Sequence, residues 1–536
     1  MNRRVIGMFG LLAMTFTYAY GQTSQSEDDT LLEERIGPAP TSVKEIVYSN
    51  NCQAAFMIER NDKFLVMVDG REGPVYDEIG KKSLVFSPGG EHVAYVAIKD
   101  KNMFMVTDGL EGLPFDGIAE GSPVFSADGR HMAYWAQNKQ KWRLVVDDKE
   151  GPAYDKRAED TPIFSPDGKH VYYAAKKGEK WYAVIDGKER GEYDAIAKDT
   201  PIFSSDNKHV AYAASKGRTS FVVLDGKEGP EYEAISKGAP LFSPDGKHMA
   251  YAAQKKLKWF MVIDGRAGSE FDGFAKNSIV FSPDSKHIIY GIRKGQKGHV
   301  VYDGKEGPEY DELYTMYVFS PDSRRLAYVA KKDKKWLVVV DGKEGPGFDS
   351  IYRGTLYFSP DSKHIVYAAK KGDNALVIQD GQAGPLYNTI VAGTPIFSPD
   401  GNRMAYAGSN NENKFVVVVD GQEGPPYDGI IKGTPVFSPD GKRVVYGATQ
   451  DDKCRVILEG QQGPEYKVIY NIGFSPDGKH LVYIANKDNY WFFVVDGQEG
   501  RKYTSILFDT QIFRPDGVLE FLAVKQGNLY SVKQRL

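Results

Sequence analysis

The sequence predicts an all-β protein, a β-propeller of about thirteen four-stranded blades. Three observations predict it: a unit of about 39 residues that recurs almost to the end of the chain, strand-period alternation inside each unit, and turn residues at fixed offsets within it. Helical periodicity is absent.

The recurring string is typified by Phe242 and the residues after it, Phe-Ser-Pro-Asp-Gly-Lys-His-Met-Ala-Tyr-Ala-Ala. Its aromatic anchor falls at Tyr48, Phe86, Phe125, Phe164, Phe203, Phe242, Phe281, Phe319, Phe358, Phe397, Phe437, Phe474 and Phe513, at spacings of 37 to 40 residues. A fixed period of this size means a stacked array in which each unit buries its apolar faces against its neighbours. Within the unit at Phe242, residues 239–243 form an extended apolar segment. Pro244, Asp245 and Gly246 then supply a turn: a fixed φ, a carboxylate that bonds back to the backbone, and tolerance of positive φ. His248 to Ala253 alternate with period two, a lysine-rich turn at 255–258 follows, and residues 259–263 read as a third strand. Asp264-Gly265 is a two-residue hairpin signal, and a fourth short segment ends at Phe271-Asp272. Four short strands in 39 residues is the size of one blade.

Phe-Ser-Pro-Asp-Gly followed by an alternating strand resembles the first hairpin of WD-repeat propellers, and more closely the TolB-type repeat of bacterial periplasmic propellers. The resemblance covers residues 46–536. It implies an exported propeller with strands running outward from A to D. Two departures stand out. The third strand ends in Val-Asp-Gly, as at Val340 to Gly342, in place of Trp-Asp. A Gly-Pro-x-Tyr-Asp segment follows, as at Gly307 to Asp311, which the family pattern lacks.

Propellers commonly hold four to eight blades, so thirteen are expected as two rings of six and seven, residues 36–318 and 319–536. The seam would lie near 313–318, where Leu-Tyr-Thr-Met-Tyr-Val replaces the usual Lys-Gly-Thr-Pro approach. One large ring is the alternative, favoured by the even spacing. The last unit ends at Leu536 after three strands, so residues 36–47 are expected to supply a fourth and close the ring.

Residues 1–21 read as an export signal: Arg3 and Arg4, an apolar run from Val5 to Tyr18, and Ala19-Tyr20-Gly21 as a cleavage site. The run is short for a bilayer span, so no transmembrane anchor is expected after cleavage, and the mature protein is expected in the periplasm or outside the cell. Residues 22–35 read as an acidic flexible segment. The absence of any Asn-x-Ser/Thr sequon favours a bacterial source. Cys52 and Cys454 occupy different places in the repeat and read as unpaired. With 68 basic and 72 acidic side chains, net charge −4, the chain lacks the cationic surplus that general nucleic-acid binding requires.

Eight of nine histidines, His92, His131, His170, His209, His248, His287, His364 and His480, lie six residues after the anchor. A residue repeated in blade after blade does one structural job each time, so these are neither catalytic nor metal-binding. His299 is off-register and reads as a surface residue. The Asp of each turn offers one carboxylate where a calcium loop gathers several. Trp142, Trp181, Trp259, Trp336 and Trp491 share one column, seventeen residues after the anchor, and read as packing between blades. No hydrolase elbow, zinc motif, phosphate loop or dinucleotide fingerprint occurs. No cofactor or metal is therefore expected.

Lys81, Lys198, Lys237, Lys276, Arg353 and Lys432 stand five residues before the anchor. Placed on the loops from the fourth strand to the next blade, they would share a face with the lysine-rich loops between the second and third strands. Acidic segments such as 309–312 and 231–233 would take the other face. The expected function is an exported, non-catalytic scaffold binding a protein or anionic glycan through this lysine-rich face. A polysaccharide lyase or hydrolase working in the central funnel and a purely structural envelope component are the alternatives.

Overall fold

The computed structural model describes residues 31–536 apart from 161, 199, 200, 276, 277, 411, 509 and 515. The expected export signal and most of segment 22–35 thus lie outside the described residues. These fold into thirteen antiparallel sheets and contain no helix. The protein is a thirteen-blade propeller. Blade 1 has strands A to D at Val43–Tyr48, Ala54–Arg60, Lys63–Val68 and Arg71–Tyr76. Blades 2 to 12 repeat the order, and blade 13 takes its fourth strand from the other end of the chain. Leu31–Pro38 pairs antiparallel with Asn528–Arg535. Ring closure is therefore as expected in kind but earlier in sequence, at 31–38 and not 36–47. Five residues of the segment expected to be flexible are strand.

Strand B is the hydrophobic heart of each blade. In most blades its first five residues are buried, as in Met249–Lys255 and Ile365–Lys371, because both faces lie against neighbouring blades. Each pair of successive blades shares at least one apolar cluster. Ala55, Val66 and Tyr76 of blade 1 pack with Val93 and Tyr95 of blade 2. Ile289, Val300 and Tyr310 of blade 7 pack with Tyr328, Leu337 and Val339 of blade 8. The circuit returns on itself where Leu522 and Leu529 of blade 13 join Phe56, Ile58 and Leu65 of blade 1. Residues 318 and 319, the expected boundary between two rings, are consecutive residues of one strand, Glu312–Phe319. Packing runs through that point as it does elsewhere.

The Gly-Pro-x-Tyr-Asp segment proves to be the joint between blades. Its aromatic residue pairs with the start of strand C and is buried in all of blades 1 to 12, as at Tyr76, Phe115, Tyr310 and Tyr387. In most joints the ring stands edge-on to the strand B tyrosine of the following blade. Tyr387 and Tyr406, for example, have centroids 6.0 Å apart at 78°. The next residue clamps the same joint. One oxygen of Asp194 accepts a hydrogen bond from Lys180 of its own blade at 2.7 Å, and the other accepts the Gly217 N–H of the next blade at 2.6 Å. Both bonds hold the Asp194 carboxyl below its ordinary range, Lys180 first.

The histidines and the Asp-Gly hairpins are partners. His480 Nδ1 lies 2.7 Å from Asp496 Oδ2, while Asp496 Oδ1 accepts the Leu481 N–H at 2.8 Å. The same pair recurs for His92, His131, His170, His209, His248, His287 and His364. Each links strand B to the turn after strand C. His299 departs from expectation: it is buried, 3.2 Å from Glu306. Both cysteines are free thiols, and burial first of all pushes Cys52 up to about 12.

Two outcomes follow from these contacts. Tyr387→Ala empties a fully packed joint and should cost about 3–5 kcal/mol, the range for a large buried aromatic, read as a lowered urea midpoint. Tyr387→Phe should cost much less, because Phe115, Phe271 and Phe348 fill the same place. The second concerns acid. Asp245, Asp284, Asp361 and Asp477 are held at about 2, chiefly by the hydroxyl of the serine two residues before each. Their folded values lie below the unfolded value of about 3.9. The stability they contribute is present above about pH 4 and is lost as pH falls toward 2. A variant with all four as Asn should melt lower at neutral pH, with a flatter melting curve across that window.

Candidate functional site

The candidate site is the rim built by strand A, which forms one edge of each sheet. In most blades this strand is broken into two short halves, as at Ala234–Ile235 and Leu241–Phe242, each paired with strand B. The break follows from the Lys-Gly-Thr-Pro pattern. Proline has no N–H to give to a ladder, and glycine takes positive φ, 86° at Gly433. The threonine repairs the gap. Thr434 Oγ1 donates to the Ile431 carbonyl at 2.7 Å and accepts the Gly447 N–H at 3.2 Å. Thr355 does the same with Tyr352 and Ala368. With the backbone satisfied, the residue before the glycine is turned outward at the tip.

That tip carries the predicted cationic residues. Lys81, Lys198, Lys237, Arg353 and Lys432 are all exposed there, and Lys276 lies outside the described residues. They do not sit on the loop from strand D, as expected. In blade 6 that connection is the single residue Asp272, between Arg266–Phe271 and Gly273–Phe274, and Lys276 comes after it. The rim is also of mixed charge. The same position holds Glu120, Glu159, Tyr314, Ala392 and Phe508 in other blades. Lys198 Nζ bridges Glu159 of the preceding blade at 2.9 Å, and the Arg353 guanidinium lies 5.0 Å over the Tyr314 ring. In blades 5 and 6 two described cations, Lys198 and Lys237, border one cleft of about 390 Å³.

The expected division into a cationic and an acidic face fails. Strand D runs antiparallel to strand C, so its end returns to the loop between strands B and C. Asp311, expected on the opposite face, accepts a hydrogen bond from Lys297 at the start of strand C at 2.7 Å. Lys258 pairs likewise with Asp272, and Lys335 with Asp349. The lysines that begin strand C are held in the joints.

The tryptophan column packs between blades as expected. The Arg157 guanidinium of blade 4 lies 5.1 Å over Trp142 of blade 3, and Phe508 of blade 13 stands 5.3 Å from Trp491 of blade 12. One residue of this column escaped the sequence reading. Ser220 of blade 5 occupies it and lines the cleft beside Lys198 and Lys237. Its signal was a serine where neighbouring repeats carry tryptophan. Among the described residues no group of three or more His, Cys, Asp or Glu is placed to hold a metal ion. The described residues contain no helix long and apolar enough to cross a membrane.

No family model and no curated protein sequence matches the chain. Solved structures with a similar architecture include a eukaryotic initiation factor, 14% identical with a TM-score of 0.30, covering 71% of this chain and 96% of that one. TolB from Acinetobacter baumannii is 13% identical with a TM-score of 0.23, over 49% of this chain and 77% of its own. The Myceliophteria thermophila Cps50 (Swd1) β-propeller domain is 11% identical with a TM-score of 0.22, over 50% and 97%. These likenesses concern the propeller architecture alone.

Proposed function

We propose that the protein is an exported, non-catalytic propeller scaffold that binds an anionic partner, protein or glycan, at the strand A rim of blades 5 and 6. One observation carries this reading. The charged residues that recur around the ring are engaged by the ring itself, histidine with aspartate and lysine with aspartate, whereas the tip of strand A stays exposed and changes from blade to blade. Variation at an exposed position on a rigid repeat scaffold is how such folds carry recognition. Lys198 and Lys237 come from consecutive blades, so the scaffold fixes the spacing of their backbones and only the side chains remain to be ordered on binding. Export rests on the pattern of residues 1–21.

Binding of the mature chain to immobilised polygalacturonate, alginate, heparin and anionic vesicles tests this, at salt concentrations of about 50 and about 300 mM to vary screening. The expected result is a salt-sensitive hit that Lys198→Glu with Lys237→Glu weakens by roughly tenfold or more. Equal reversal at Lys81 with Lys432 should weaken it less. A hit indifferent to both pairs, or none on the panel, would remove the rim as a recognition surface.

A further inference from the structure

The tryptophan column fills one repeated space. At the start of strand C the indole lies between its own blade and strand A of the next, as for Trp142 beneath Arg157 and Trp491 against Phe508. Blade 5 places Ser220 there, and its side chain leaves most of that space open. Other small residues in the column do not. Gly298 of blade 7 is covered by Leu313, whose side chain comes within 2.9 Å of where a Cβ would stand. Ala375 of blade 9 is fully buried.

The opening at Ser220 is the cleft of about 390 Å³, within the range of ligand pockets, roughly 300–1,000 Å³. Its walls are small and apolar, Ala195, Ala213, Ala214 and Ala239, and Lys198 and Lys237 stand among its lining. Ala213, Ala214 and Ala239 are buried parts of the core. Space that an indole occupies at five other joints is here an open cleft with Ser220 in its lining.

We propose that this slot is a binding site for a small planar aromatic carboxylate, its ring where the indole lies in blades 3, 4, 6, 8 and 12. Shape comes from the column and charge from the two lysines. The ligand's carboxylate would take Lys237 and compete with Glu159, 2.9 Å away, for Lys198. The site shares these lysines with the rim reading, but it depends on Ser220, which the rim reading does not use.

Calorimetric titration of the full mature chain with indole-3-acetate, neutral indole and acetate tests the proposal. One equivalent of indole-3-acetate should bind, indole more weakly and acetate not at all. Ser220→Trp restores the residue of the neighbouring repeats. It should keep or raise Tm, abolish indole-3-acetate binding, and leave rim binding of a long polyanion in place. Should that variant misfold, Ser220→Leu provides a second filling. Trp259→Ser opens the equivalent slot in blade 6 and should raise the stoichiometry of indole binding from one to two. Lys237→Gln should weaken indole-3-acetate by roughly tenfold and spare indole. No binding to the native chain at millimolar ligand, or equal binding by Ser220→Trp, would overturn the site. Polyanion binding that survives such a result would leave the rim reading standing.

Discussion

The joint between blades is the constraint on which the rest of the molecule depends. A single blade has two apolar faces and no core of its own, so stability comes from each contact with the next sheet. The joint is made by a short segment with two tasks. A buried aromatic ring fills the seam, and the following aspartate ties its own blade's lysine to the next blade's backbone. Because both tasks fall to adjacent residues, a fixed repeat length is enforced: the ring and the carboxylate must reach the next blade together. This accounts for spacing that stays within three residues over the whole chain.

An array of this kind has two raw edges, and here they meet. Strand Leu31–Pro38 completes blade 13 and carries the chain directly into blade 1. Glu33 is its latch. Burial pushes its carboxyl up, but Tyr503, Lys525 and Arg501 outweigh this and hold it below the ordinary range. Tyr503 Oη donates to it at 2.7 Å and Lys525 Nζ at 3.0 Å. A buried carboxylate with three partners is costly to separate from them, so the two ends of the chain are joined by a polar contact as well as by Ile36 in the shared core. The joint lacks the aromatic plug of the others, and the ladder of a full-length strand takes its place.

Much of this was legible in the sequence because it is local. Blade number, strand order, the turn chemistry and the structural role of the histidines all follow from patterns inside 39 residues. What was not legible involves contacts between repeats. Gly-Pro-x-Tyr-Asp reads only as a departure from the family repeat until Tyr387 is seen against Tyr406 and Asp194 against Gly217. The broken strand A was hidden because Thr434 stands in for a backbone partner thirteen residues away, Gly447. The charge division failed for a simpler reason. An antiparallel fourth strand brings Asp311 back to the lysine loops, which cancels the field a linear count of lysines suggests. The candidate site was half legible: five lysine-column residues lie exposed on the rim, but Ser220 gains meaning only when the space a tryptophan would fill is seen to be open.

Two rings of ordinary size and one ring of thirteen blades share the same local contacts and differ only in how the circuit closes. The packing of blade 7 on blade 8 and of blade 13 on blade 1 describes the single circuit. Electron microscopy of the purified mature protein, viewed along the ring axis, tests this most directly. A single annulus of thirteen radial blades around one wide opening is the expected image. Two touching discs of six and seven blades, each with its own narrow centre, would contradict it.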